Sequence, residues 1–287
     1  MPGYFLKSAL PVAAGAIGLA LAMNLAPPSE LGAAEADTIS LNYGIYMGGA
    51  RVYAISYSAS LSSDGYRTSV TMASKGLGKV FSDFRLKMAT SGSISSGQPE
   101  PQDFMMESSK KDERKKVAMT WEPNGVPKTD RSFKMPEKRA AAVAKALKPE
   151  MPDPLTAVLR HALDENSNFC SETLRAYNGA EIYELKLTFL GDDVIRNKGK
   201  GVYTGPAHKC RAIFVPIAGY SDNRMRKLLK DPPSYTLWFA EVKSPATATR
   251  FLVPVQAQGK ASGHTFAIFA SEAQMSGRPL SALSALE

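Results

Sequence analysis

The chain has 287 residues, of which 44% are hydrophobic. This share is ample for a folded core, so the sequence is not that of a disordered chain. It carries 35 Lys and Arg against 27 Asp and Glu, a formal charge of +8. The length suits one large β domain or two small ones.

Residues 1–36 have the three parts of a secretory signal peptide. Lys7 supplies a short positive region, Ser8–Leu25 is mostly small and apolar, and residues 34–36 (Ala-Glu-Ala) fit the rule for cleavage before Asp37. The alternative is an uncleaved transmembrane anchor, but a proline and an asparagine interrupt a run that is barely long enough to span a bilayer. No cysteine lies at the cleavage site, so we expect an exported periplasmic protein without a lipid anchor.

The mature chain would be basic. Removal of residues 1–36 leaves 251 residues (287 minus 36) with 34 basic and 25 acidic side chains, a charge of +9 (34 minus 25). An exported basic protein can contact anionic lipid headgroups, lipopolysaccharide or cell-wall polymers. The alternative is that the charge only aids solubility. Nucleic acid is not predicted as a partner, because export separates the protein from it.

Alternating apolar residues predict strands from the start of the mature chain. The repeat of two places one set of side chains on one face, and glycine-rich or serine-rich turns separate the runs. The runs are Ile39–Met47, Tyr53–Leu61, Tyr66–Met72 and Phe84–Met88, with a short helical turn between Lys75 and Asp83. Strands spaced by about ten residues predict an antiparallel meander.

The middle of the chain changes from hairpin signals to helix signals. Lys110–Lys116 is a charged run between two strand-like segments, which is typical of a solvated hairpin tip. Pro123–Pro136 is predicted to be a turn-rich connector. Pro136–Lys148 has apolar residues at helical spacing and predicts the first of two helices.

Asp153–Leu163 predicts the second helix. Asp153 suits the N-cap and Pro154 suits the first helical position. Five apolar side chains share one face of this helix: Leu155, Val158, Leu159, Ala162 and Leu163. Such a face predicts burial against a concave sheet. A later strand offers suitable apolar partners: Phe251, Val253 and Val255.

Strand patterns resume after the second helix. Gly191–Gly201 is predicted to be a polar turn and Asn223–Lys230 a short basic helix. The predicted strands are Tyr183–Phe189, Ala207–Ile217, Thr236–Val242, Arg250–Gln256 and Thr265–Ala270. Residues 275–287 show no period and are predicted to be a mobile tail. Residues 37–287 are therefore predicted to form a single β-rich domain.

The two cysteines, Cys170 and Cys210, are predicted to form a disulfide, because an isolated pair in an oxidising compartment is usually bridged. We expect the bridge to join facing positions of the sheet. A metal site is the alternative, but it would need more ligands, and the histidines His161, His208 and His264 are scattered. No metal site is predicted.

The order of motifs along the mature chain resembles the exported bacterial proteins called domain of unknown function family 3108. The first strand carries YGIYMGG, the second helix carries DPLTAVL, and Cys170 opens CSETLRAYNGAEIYEL. Cys210 opens CRAIFVPIAGY, and a strand with a tryptophan and the run FLVPVQAQG follow. One departure is that Asn178-Gly179 precedes Ala180 and Glu181, whereas relatives often carry arginines there.

The resemblance implies a periplasmic fold of β-strands that form a spiral or an open barrel. It implies likeness to lipoprotein-carrier and envelope-integrity proteins, and it supplies no catalytic residues. The predicted fold class is therefore mainly β, an antiparallel sheet with one or two helices packed on its concave face.

No set of residues predicts catalysis. The sequence lacks the G-x-S-x-G, H-E-x-x-H, Walker and dinucleotide-binding motifs, and Gly76–Phe81 (GLGKVF) lacks the P-loop spacing. Asp192-Asp193 is a carboxylate pair that we expect to be solvated within a turn. We therefore expect a protein that is not an enzyme and that holds no cofactor.

Two functional classes remain for an exported domain of this kind. The first is a structural or partner-binding protein of the cell envelope, and this is the prediction from sequence. The second is a carrier of lipid, lipoprotein or another hydrophobic ligand, because a curved sheet with one apolar face can hold an acyl chain or a peptide. The helix Asp153–Leu163 separates the two, since it either fills that face or leaves it open.

Overall fold

Antiparallel strands make up most of the structure. The computed structural model describes residues 36–76, 78–81, 83–122, 125–163, 169–196, 201–244, 249–261 and 264–283. The strands are β1 (Asp37–Met47), β2 (Ala50–Leu61), β3 (Gly65–Ser74), β4 (Phe84–Ser95), β5 (Gln98–Lys110), β6 (Glu113–Trp121), β7 (Pro127–Arg131), β8 (Thr173–Tyr177), β9 (Ile182–Ile195), β10 (Gly205–Ala218), β11 (Ser234–Lys243), β12 (Arg250–Ala261), β13 (His264–Met275) and β14 (Arg278–Pro279). The helices are α1 (Gly78–Phe81), α2 (Glu137–Ala146), α3 (Pro154–Ala162) and α4 (Asp222–Lys230), with 3-10 turns at Phe169–Ser171 and Leu280–Ala282.

One sheet contains all the described strands. Its order is β7-β6-β5-β4-β3-β2-β1-β13-β12-β11-β10-β9-β8, with β14 beside β13. Strands β1 to β7 form one meander and β8 to β13 form the other. The two are joined by the antiparallel pairing of β1 with β13, in which Ile39 lies opposite Met275. The predicted antiparallel meander is therefore confirmed.

The two edges of the sheet face each other at a seam that side chains hold. Arg131 on β7 donates from Nε to the carbonyl of Gly179 and from Nη2 to the hydroxyl of Tyr177 at 2.5 Å. Thr129 Oγ1 lies 3.3 Å from the same hydroxyl. Gly179 has φ +86°, and a Cβ there would collide with Val117. Because no backbone ladder pairs β7 with β8 among the described strands, the sheet is an open barrel, as the family resemblance implies.

Helix α3 lies inside the curve of the sheet. It contacts β4 and β5 of the first meander and β8 and β12 of the second. Strands so far apart in the sheet order can touch one short helix only where the sheet curves around it. The helix is therefore buried on more sides than an amphipathic stripe requires: Leu155, Thr156, Ala157, Leu159 and His161 are all buried.

The core has two main parts that meet at α3. The larger part joins β1, β2, β11, β12 and β13 with Leu159, and it includes the expected partners Phe251, Val253 and Val255. The second part joins β5 and β6 with α2 and the start of β9, through Val143 and Leu155 among others. Helix α3 therefore contributes to both parts of the core.

The structure corrects three boundaries that the sequence suggested. The connector Pro123–Pro136 contains β7, which pairs with β6 from Val117 to Trp121. The polar turn Gly191–Gly201 is shorter than expected, because β9 continues to Ile195 and pairs there with β10. The segment after Met275 is not an irregular tail through residue 283, since it forms β14 and a 3-10 turn in which Leu280 is buried.

Helices α2 and α4 both contact β10 and lie at the surface. Val143 is the buried residue of α2, and no residue of α4 is buried. The charged run Lys110–Lys116 is the tip of the β5–β6 hairpin, as predicted. In the part of the chain that the structure describes, no helix has both the length and the apolar character needed to cross a membrane. The predicted signal peptide lies outside the described residues, apart from Ala36.

Candidate ligand-binding cleft

An apolar cleft lies between α3 and the inner strands of the sheet. Its volume is about 340 Å³, which falls within the range of small-molecule pockets, although at the lower end. Helix α3 lines one wall with Val158, Leu159 and Ala162. The sheet lines the rest with residues of six strands: Ile39, Leu41, Tyr43, Ile55, Tyr57, Val70, Leu237, Phe251, Leu252, Val253, Pro254, Gln256, Ala257 and Ile268.

The cleft is open to solvent along α3. Val158 lines it and yet is 41% exposed. The sequence predicts burial of Val158 with the rest of its helix face, and this prediction is wrong for that residue. The physical reason is that α3 and the strands do not meet at Val158, so its side chain faces the opening. The next residue, Leu159, packs into the core and is 1% exposed.

No charged side chain lines the cleft among the described residues. Burial raises the pKa of the hydroxyls of Tyr43 and Tyr57, so both stay neutral at physiological pH. The Tyr43 hydroxyl donates to the carbonyl of Pro254 at 2.7 Å. Within the described part of the chain the Tyr57 hydroxyl has no hydrogen-bond partner. Tyr57 and Gln256 are therefore the polar groups that a ligand in the cleft could reach.

A buried polar cluster fixes the start of α3. Asp153 is the N-cap, as predicted, and its Oδ1 accepts from the backbone N–H of Leu155 at 2.8 Å and of Thr156 at 3.1 Å. Its Oδ2 lies within hydrogen-bond distance of the hydroxyls of Thr156 and Thr90. Thr156 also bonds the hydroxyl of Tyr66 at 2.6 Å. The cluster ties α3 to β3 and β4, so the helix is a fixed part of the core.

The number of hydroxyl protons in this cluster favours a protonated Asp153. Thr90 has one hydroxyl proton, and its Oγ1 lies 2.8 Å from the carbonyl of Asp103 and 3.0 Å from Asp153 Oδ2. If Thr90 donates to Asp103, the carboxyl must donate to Thr90 for the second bond to form. Burial also raises the pKa of Asp153, and its hydrogen bonds to Thr156 and Thr90 offset this rise in part. A neutral carboxyl therefore allows Thr90 to bond both Asp103 and Asp153.

A second cavity of about 380 Å³ lies at the other side of α3 and is polar. Arg160 lines it, but its Nε donates to the carbonyl of Pro99 at 2.7 Å. Arg175 also lines it, and its Nε donates to the nearly buried carboxylate of Glu184 at 2.8 Å. Both arginines are therefore engaged by groups of the protein itself, and the apolar cleft remains the better candidate for a ligand.

Cys170 and Cys210 form a disulfide, with their Cα atoms 5.7 Å apart. Cys170 lies in the 3-10 turn Phe169–Ser171, and both cysteines are buried beside Phe239 and Leu252. The expectation that they occupy facing strand positions is wrong, because Phe189 of β9 and Leu237 of β11 lie opposite Cys210. The bridge instead holds the turn that precedes β8 against the sheet.

The structure describes the side chains of two histidines, and each contacts at least one carboxylate group. His161 on α3 lies 3.4 Å from Glu172 and packs edge-on against Phe239. His208 on β10 lies between two carboxylates, with Nδ1 2.6 Å from Asp192 and Nε2 3.4 Å from Glu241. His264 is the first residue of β13. Among the described residues, no group of three or more potential ligands is arranged to hold a metal ion.

Two other motifs have structural roles. Asp192 and Asp193 lie in β9 rather than in a turn, and Asp193 accepts a hydrogen bond from the indole of Trp238 at 2.9 Å. That hydrogen bond lowers the pKa of Asp193. In GLGKVF, Gly78 lies so close to the backbone of Val52 that a Cβ would collide with it. Its lack of a side chain therefore serves packing rather than phosphate binding.

Three comparisons place the chain among known proteins. A family model described as "Protein of unknown function (DUF3108)" matches residues 42–261. No curated protein matches the chain. Among solved structures, the chain is similar to one titled "Crystal Structure of Beta-barrel-like Protein of Domain of Unknown Function DUF1849 from Brucella abortus", with 7% identity, a TM-score of 0.43, and coverage of 83% of this chain and 97% of that one. The family match runs from β1 to the end of β12.

Proposed function

We propose, from the premise that this chain belongs to the DUF3108 family of proteins of unknown function, that it is a non-enzymatic binding protein of the cell envelope. Its ligand is one apolar chain, such as an acyl group, held in the cleft beside α3. The sequence favours a structural or partner-binding role over a carrier role, and the cleft reverses that order.

The observation that carries the proposal is an open cleft with an almost wholly apolar wall. Exposed apolar surface is costly in water, and a concave apolar surface with few polar groups is typical of ligand sites. At about 340 Å³ the cleft is small, so it suits a single apolar chain rather than a larger ligand. Its neutral wall disfavours a charged group in its interior.

Two features support a periplasmic location. A buried disulfide is typical of proteins that fold in an oxidising compartment. The first 36 residues have the composition of a cleavable signal peptide. Both fit a protein that carries or retains a hydrophobic ligand outside the cytoplasm.

Substitution of Val158 by Glu tests the site. Val158 is exposed, so the variant should fold, and the new carboxylate would lie at the mouth of an apolar cleft. We expect the affinity for a fluorescent, uncharged fatty alcohol to fall by at least about tenfold, which corresponds to ~1.4 kcal/mol. Met105→Glu is the matched control, because Met105 is 60% exposed on β5 and does not line the cleft.

The proposal fails if Val158→Glu binds the probe as well as the unmodified protein does. It also fails if Met105→Glu weakens binding to the same extent, because the loss would then come from surface charge in general. Unfolding curves of both variants show that each is folded under the conditions of the titration.

A partner-binding role is the second candidate, and one edge of the sheet favours it. β8 pairs only with Ile182–Lys186, so β9 beyond Leu187 has no strand on that side among the described residues. Phe189 and Val194 in this segment are 47% and 53% exposed. An exposed strand edge can accept a strand of another protein. Native mass spectrometry of the protein from its own envelope separates the candidates, since a bound lipid supports the carrier and a bound protein supports the partner role.

A further inference from the structure

Helices α2 and α4 begin next to each other, and both contact β10. Lys138 Nζ in the first turn of α2 lies 2.7 Å from Asp222 Oδ2 in the first turn of α4. Arg139 Nε donates to the carbonyl of Gly219, just before α4, at 2.6 Å. Both helices contact β10, so they belong to one area of the surface.

The outward side of α2 is basic. Val143 is its buried residue, and at 100° per residue Lys138 and Lys145 lie on the side of the helix opposite Val143. Lys148 follows just beyond the helix and is exposed. Lys145 and Lys148 form no ion pair within the described part of the chain, so their charges are available to an external partner.

The outward side of α4 is also basic. Met225 and Leu228 are its half-buried residues, and Arg226, Lys227 and Lys230 are exposed. None of these three cations forms an ion pair with a described residue. Arg224, in contrast, pairs with Glu181 at 2.5 Å and lies 5.0 Å from the centre of the Tyr220 ring.

These two segments hold much of the net charge of the protein. Residues 137–148 contain four cations and one acid, a net charge of +3, and residues 222–230 contain the same numbers, again +3. Together they supply +6, against +8 for the whole chain. An exposed leucine lies at the border of the cations, since Leu229 is 57% exposed and is the next residue but one after Lys227.

We propose that this helical basic face, formed by Lys145, Lys148, Arg226, Lys227 and Lys230, binds the surface of an anionic lipid bilayer. Each cation near an anionic membrane strengthens binding by roughly fivefold, so several together give a stable contact. An anionic polymer would satisfy the cations alone. Leu229 favours the bilayer, because an exposed leucine beside cations can enter the headgroup region.

Vesicle co-sedimentation tests this proposal, which goes beyond ligand binding in the cleft. The protein is purified from expressing cells in the form that they process, and is mixed with vesicles of phosphatidylcholine alone or with phosphatidylglycerol. The test variant carries Lys145→Gln, Arg226→Gln, Lys227→Gln and Lys230→Gln. The control variant carries four changes of the same kind at the β5–β6 hairpin tip: Lys110→Gln, Lys111→Gln, Lys115→Gln and Lys116→Gln. A separate variant, Leu229→Gln, tests the apolar contact.

We expect binding only to the anionic vesicles, a loss of roughly a hundredfold in the test variant, and a loss of less than about fivefold in the control. Leu229→Gln should weaken binding by severalfold without a change in net charge. Equal losses in the test and control variants would overturn the proposal, since net charge alone would then explain adsorption. Absence of binding to anionic vesicles would also overturn the proposal. If the same protein then bound a soluble anionic polysaccharide, the basic face would be assigned to a polymer instead.

Discussion

Substitution of Asp153 probes the buried polar cluster at the start of α3 most directly. Two variants are informative together. Asp153→Ala removes the N-cap and all four hydrogen bonds of the carboxyl, whereas Asp153→Asn keeps the shape of the side chain and cannot ionise. The comparison therefore separates the packing role of Asp153 from its protonation state.

The magnitude for Asp153→Ala follows from the bonds that are lost. Removal of an N-cap costs about 1 kcal/mol. Thr90 and Thr156 also lose a buried partner, at about 1–3 kcal/mol for each group left unsatisfied. We expect a total loss of about 3–7 kcal/mol in the free energy of unfolding, at the upper end of single-substitution effects.

Asp153→Asn should be far milder. The amide oxygen can replace Oδ1 as acceptor for Leu155 and Thr156, and the amide N–H can donate to Thr90 where the neutral carboxyl does. The bond with Thr156 must reverse, and its hydroxyl can then donate to Tyr66, since either atom of that pair can be the donor. We expect a cost of about 1 kcal/mol or less at acidic pH, the cost of one imperfect hydrogen bond.

The pH dependence tests the proton on Asp153. Burial raises the folded-state pKa above the unfolded value of about 3.9. The folded state then binds the proton more tightly, so this contribution to stability is complete below that unfolded value and is lost as the pH rises through the folded pKa. Asp153→Asn cannot ionise, so it does not lose this contribution as the pH rises. Its free energy of unfolding should therefore rise, relative to that of the unmodified protein, by about 1.4 kcal/mol for each unit of the pKa shift.

Urea unfolding of both variants and of the unmodified protein between pH 4 and pH 8 measures these differences. Other titrating groups cancel, because they are the same in all three proteins. The reasoning is refuted if Asp153→Asn runs parallel to the unmodified protein across this range. It is also refuted if Asp153→Asn is as unstable as Asp153→Ala, because the carboxylate would then be an essential acceptor.

Two further predictions concern the core. Leu159→Ala should cost about 2–5 kcal/mol in urea unfolding, the range for a leucine buried in a core, and a loss below about 1 kcal/mol would mean that α3 is a removable plug. Reduction of the Cys170–Cys210 disulfide, which closes a loop of 40 positions, should lower the free energy of unfolding by up to about 4 kcal/mol. Thiol labelling of the unfolded, unreduced protein should find no free sulfur, and two labelled cysteines would contradict the bridge.

Local sequence pattern is sufficient to predict strands whose apolar residues alternate and helices that begin at a clear N-cap residue. Strands β1 to β4 and the N-cap at Asp153 follow from residue type and spacing alone. β7 was missed because Pro127–Arg131 has no alternation of its own, and only its pairing with β6 makes it a strand. The length of β9 was missed for the same reason, since its polar end is extended by pairing with β10.

The cleft depends on packing and could not be read from the sequence. The pattern of α3 places Val158 and Leu159 on one face, and only the fit between the helix and the strands decides that Leu159 is buried and Val158 is not. The basic face has a similar origin. The charges of α2 and α4 are visible in the sequence, but their adjacency follows from the contact of both helices with β10.

The pairing of β1 with β13 has a consequence for the order of assembly. All other neighbours in the main path of the sheet are consecutive strands, so each meander can form from local hairpins. The β1–β13 ladder joins residues more than 200 positions apart, and such contacts form slowly because a long loop must close first.

Each meander alone would present the β1 or β13 edge to other chains until the two halves meet. A fragment that stops before β13 should therefore form the first seven strands but aggregate through β1. The β1–β13 ladder forms late in folding. Until it forms, the chain is most at risk of aggregating with other copies of itself.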